Sequence, residues 1–88
     1  MNNEKMLGGW KQFDEEINDQ LEEMFETAFK ELNEMKLTPV KLIGSQLVAG
    51  MNYRFLCLSK DEKKTPKIVT IYRNLQGQCQ IIDISDQK

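Results

Sequence analysis

Val40-Lys41-Leu42-Ile43-Gly44-Ser45-Gln46-Leu47-Val48-Ala49-Gly50-Met51-Asn52-Tyr53-Arg54-Phe55-Leu56-Cys57-Leu58-Ser59 is the stretch on which the fold turns. Val, Ile, Leu, Tyr and Phe crowd it and no proline interrupts it, so residues 40–47 and 51–59 read as two β-strands. The link between them is far too short for a crossover, which makes them antiparallel neighbours, with Gly50 providing the turn geometry. Residues 67–73 and 79–84 repeat the pattern, joined through Pro66 with its charged neighbours and through Gly77. A four-strand antiparallel meander over residues 40–84 is therefore expected. In its last strand Gln80, Ile82 and Ile84 alternate with Ile81 and Asp83, which predicts two isoleucines facing a helix and an aspartate facing solvent.

Upstream, apolar residues fall at Phe13, Ile17, Leu21, Met24, Phe25, Ala28, Phe29, Leu32 and Met35, in steps of three and four. That period predicts one long amphipathic helix over residues 10–37, roughly 37 Å for about 25 residues at 1.5 Å each. Asp14, Glu15 and Glu16 would lie in its first turns, at the positive end of the dipole, and Lys36 near the negative end. Pro39 disfavours the α conformation at Thr38 and so ends the helix near Lys36 or Leu37. A helix apolar on one stripe must lie on something, and the meander is available. The expected class is α+β, a single long helix packed across a four- to five-stranded antiparallel sheet.

With 88 residues the chain holds one domain and one core. Hydrophobic residues at 40% and charged ones at 30% are the balance of a folded globular protein and too apolar for a disordered one. The 12 Lys and Arg face 14 Asp and Glu, for a net charge of -2, and the basic run of residues 60–67 is broken by Asp61 and Glu62. Nucleic-acid binding wants a clustered basic face, so none is expected. No apolar run is long enough to span a membrane, and residues 1–9 carry no apolar segment of the secretory type. A cytoplasmic protein is expected, or a secreted one if the chain is a processed form.

Chemistry is hard to find. His is absent, which removes the usual base of a Cys or Ser nucleophile and the partners of a zinc site. The carboxylates between Asp14 and Glu34 belong to a wet helix face, and no phosphate- or metal-binding spacing occurs. Neither enzyme activity nor a cofactor is expected. Cys57 and Cys79 are read as free, partly buried thiols too far apart along the meander to pair. The feature that stands out is the first turn, where Leu47, Val48 and Ala49 put apolar side chains at a tip that polar turn formers would ordinarily occupy. Exposed apolar residues gathered on a surface mark a contact site.

Gln46-Leu47-Val48-Ala49-Gly50 resembles the Gln-x-Val-x-Gly motif of the cystatins, and Met51-Asn52-Tyr53-Arg54-Phe55 looks like the strand that follows it in stefins, the type 1 cystatins. Leu7-Gly8-Gly9 resembles their N-terminal glycine trunk, and Leu75-Gln76-Gly77-Gln78 falls where stefins carry a second hairpin loop. The resemblance runs over nearly the whole chain. It implies the cystatin fold, a short strand at residues 6–10, and a reversible, tight-binding inhibitor of papain-like, cathepsin-type cysteine proteases. The implied protease-binding residues are Met6, Leu7, Gly8 and Gly9 of the trunk, Gln46, Leu47, Val48, Ala49 and Gly50 of the first loop, and Leu75, Gln76 and Gly77 of the second. Gly50 is expected to matter more for binding than for folding.

The second loop departs from the family, with neither the tryptophan of secreted cystatins nor the proline of typical stefins, and the paired C-terminal cysteines of secreted members are missing. A monomer is expected, able to form a domain-swapped dimer through the first hairpin. The alternative reading is a cystatin-fold interaction module or scaffold that does not inhibit.

Overall fold

The computed structural model describes residues 9–30 and 37–86. Within them five strands and one helix follow in the order β1 (Trp10–Glu16), α1 (Asp19–Ala28), β2 (Leu37–Val48), β3 (Gly50–Ser59), β4 (Pro66–Arg73) and β5 (Cys79–Asp86). The strands form a single antiparallel sheet in which each neighbours the next, β1-β2-β3-β4-β5. Short links allow nothing else for β2 to β5, and those four strands lie where the clustering of apolar residues predicts them, with ends displaced by at most three residues. The molecule is thus α+β.

The helix is the main correction. Residues 10–16, expected as its first turns, form β1 instead, pairing Trp10 with Gln46 and Glu16 with Lys41. Asp14 therefore has no dipole to complement and meets the ammonium of Lys41 at 2.6 Å on the surface. The described helix has 10 residues and starts where Asn18 caps it, accepting the Leu21 N–H at 2.8 Å. Asp19 and Glu22, not Asp14 to Glu16, occupy its first turn. Leu32 and Met35 lie outside the described residues, as does any strand before Gly9. Every described apolar position of the supposed stripe still packs inward: Leu21, Phe25 and Ala28 are buried, and Phe13, Ile17, Met24 and Phe29 lie against them. Two backbone conformations deliver one set of side chains to the same core.

That core lies between α1 and one face of the sheet. Phe55, Cys57, Val69 and Ile71 are completely buried, and the Phe25 ring meets Phe55 edge-on at 5.6 Å. At 25 cal/mol per Å², burying one such side chain stabilises by about 1.5–3 kcal/mol. In β5 the alternation expected from the sequence breaks. Thr70 pairs with Asp83 and Ile71 with Ile81, so Ile82 is an extra residue, a β-bulge. The bulge shifts the phase: Ile81 and Ile84 pack on the core and Ile82 stays 49% exposed, in place of the predicted pair Ile82 and Ile84. Proline also proves compatible with the strands, since Pro39 sits in β2 beside a register shift, beyond the reach of β1, and Pro66 opens β4.

The charged run between β3 and β4 is a turn. The Asp61 carboxylate accepts from the Ser59 hydroxyl and from the N–H groups of Lys63 and Lys64, and these bonds, the hydroxyl's foremost, hold its pKa below the ordinary 3.8. No helix among the described residues is long and apolar enough to cross a membrane.

Candidate functional site

Register decides which predicted residues meet. Trp10 lies opposite Gln46, Val48 opposite Gly50, and Met51 opposite Arg73. The entry of the chain at Gly9, the turn at Ala49 and the loop of residues 74–78 therefore stand at one end of the sheet, in that order across it. With strands about 4.8 Å apart, this edge is roughly 15–20 Å wide. Met6, Leu7 and Gly8 lie outside the described residues. Gly9 is half-buried where β1 begins.

The first loop is a single residue, Ala49, between paired Val48 and Gly50. Leu47 is 51% and Val48 39% exposed, an apolar tip as the sequence predicts. Gly50 differs from expectation. It is buried, its φ is +108°, and a Cβ there would collide with the Arg73 carbonyl oxygen while meeting Tyr72 Cε1 at 3.0 Å and Asn74 Cα at 3.1 Å. Its conformation and its lack of a Cβ let the two loops close on each other, which gives Gly50 a part in folding. Behind the tip, Gln46 Oε1 accepts from Asn52 Nδ2 at 2.8 Å.

The second loop is organised by Asn74. Its Oδ1 accepts the N–H groups of Gln76 and Gln78, both at 2.9 Å, and its Nδ2 donates to Gln78 Oε1 at 2.9 Å. Gly77 has φ +88° and closes the turn by donating to the Asn74 carbonyl at 3.0 Å. The hub lifts Leu75, 77% exposed, to the summit. Between the loops lies an open notch of about 320 Å³, lined by Leu47, Val48, Met51, Arg73 and Leu75 among others.

Tyr72, Arg73 and Asn74 were missed as site residues. Asn74 with Gly77 three residues on is a legible turn signal of the kind in which Asn bonds the backbone ahead of it. Tyr72 offers none, because what makes it part of the site is a contact with Ala49, 23 residues earlier. Cys79 begins β5 just after the loop, and Cys57 pairs with Lys67 at the far end of β4, so six residues of β4, roughly 20 Å, separate the thiols. Both are free.

The edge offers shape and apolar surface. No known family model matches the chain, and no curated protein matches it significantly.

Proposed function

We propose that this edge is a protein-docking wedge and that the chain is a reversible, tight-binding inhibitor of papain-like cysteine proteases, with the cystatin fold in its stefin-like form. The observation that carries the reading is the line formed by Gly9, the Leu47-Val48-Ala49 tip and the Leu75-Gln76-Gly77 loop along one edge, in the sequence context of Gln46-x-Val48-x-Gly50. Such a wedge blocks by occlusion. A protease cleft is concave and apolar around a reactive cysteine and histidine, and the inhibitor fills it without reacting. Leu47, Val48 and Leu75 leave water on docking, worth about 25 cal/mol per Å² buried. Both loops are tied by backbone and side-chain bonds before any partner arrives, so little order is lost on association.

The test is a titration of papain with the purified protein. Stoichiometric loss of activity at nanomolar concentrations is expected. Full protease activity at micromolar inhibitor would reject the proposal and leave a docking module on the same frame.

A further inference from the structure

We infer that Tyr72 is a positioning residue that locks the first loop onto the second, so that the two tips meet a partner as one body; this rests on the wedge reading above for its functional consequence. The ladder of β2 and β3 ends at the pair Val48 and Gly50, which leaves the tip residue Ala49 beyond it. Ala49 has no side chain able to bond its neighbours, and Leu47 and Val48 are exposed. The bond that fixes the tip comes from the next strand, where Tyr72 donates its hydroxyl to the Ala49 carbonyl oxygen. The Tyr72 ring also lies against Gly50, close enough that a Cβ there would meet it at 3.0 Å.

Register explains how one side chain does both. Gln46, Asn52 and Tyr72 lie opposite one another on β2, β3 and β4, which places their side chains in a row on one face, the face away from α1. Asn52 donates to Gln46 across the first pair, and Tyr72 extends from the same row to the tip. Arg73 and Asn74, next along the chain, are the backbone that abuts Gly50 and the hub of the second loop. Tyr72 thus joins the turn of one hairpin to the base of the other. Its action on a partner is indirect, through the placing of Val48 and Leu75.

Tyr72→Phe removes the donor and keeps the ring, so folding should survive. Two measurements decide the inference: backbone order parameters of Val48 to Met51 in the free protein, and the rates of papain binding. In the parent the tip should be rigid, with values near 0.85, and in the variant they should fall toward about 0.6. Dissociation should accelerate by roughly 2- to 10-fold, the worth of one ordinary hydrogen bond, with association nearly unchanged. A variant tip as rigid as the parent's overturns the lock. A loosened tip whose complex dissociates at the parent's rate overturns the positioning role. If the parent does not inhibit papain at all, the inhibitor reading falls, and the order parameters alone decide whether Tyr72 fastens the loops.

Discussion

At the scale of single residues, Gly50 and Val48 sit two positions apart and do different work. Gly50 is enclosed, with φ at +108° and the Arg73 carbonyl where a Cβ would go. Gly50→Ala adds backbone strain and a steric collision together, so it should destabilise by about 2–4 kcal/mol. For a domain this small that is a fall in Tm of roughly 10–25 °C, readable by circular dichroism. Val48 is 39% exposed at the tip and lies outside the buried core. Val48→Asp puts a charge where an apolar cleft wall is proposed to sit, and papain inhibition should drop by at least a hundredfold with Tm within about 3 °C of the parent. Equal losses of stability in the two variants would refute this division. The same separation applies to the thiols. Burial pushes Cys57 up to about 12, and its side chain is fully enclosed. Cys79 is raised as well, partial burial outweighing the pull of Arg73, but its side chain is not fully enclosed. Because the thiolate is the reactive form, a thiol reagent at pH 8 should label Cys79 alone, and faster as pH rises to 9, while Cys57 should wait for unfolding. Prompt labelling of two thiols in the native protein would contradict that burial.

Elements differ in how plainly the sequence announces them. Strands β2 to β5 were legible because β-branched and aromatic residues cluster in four runs with short links, which leaves an antiparallel meander as the only economical chain path. The first loop was legible because Leu47, Val48 and Ala49 are apolar where turns are polar. β1 and the start of α1 were not. Phe13, Ile17 and Leu21 are four apart, as on a helix, but hydrogen bonding along β2 draws residues 10–16 into the sheet, and the side chains reach the core anyway. Asn18 followed by Asp19 was the available sign that the helix begins there. The bulge at Ile82 left no sign at all, since it exists only in the pairing of β5 with Thr70 and Ile71. Asn18→Ala tests the corrected helix start. It should cost about 1 kcal/mol and several degrees in Tm, and inhibition should be unaffected because Asn18 belongs to neither loop and its side chain bonds the helix backbone. An unchanged Tm would point to a helix that starts elsewhere.

For the molecule as a whole, the loops and the chain's entry at Gly9 share one end of the sheet, while the core and the Asp61 turn hold the rest together. Deleting residues 1–7 should therefore leave Tm nearly unchanged. It should weaken papain inhibition by roughly ten- to a hundredfold, the worth of one leucine side chain moved out of water, chiefly through faster dissociation. A large fall in Tm with intact inhibition would make that segment part of the core and remove it from the wedge. The bulges have a consequence of another kind. β1 slips register between Gln12 and Glu15 and carries Asp14, Glu15 and Glu16, while β5 is offset at Ile82 and carries Asp83 and Asp86. Among the described residues these are the two strands whose outer sides have no neighbour in the sheet. A second chain trying to add itself there would have to copy an irregular spacing and bring carboxylates close to its own. Each copy is thereby a poor template for the next, so concentrated solutions of the folded protein should stay dispersed, and growth of fibrils should wait on molecules that have already come apart.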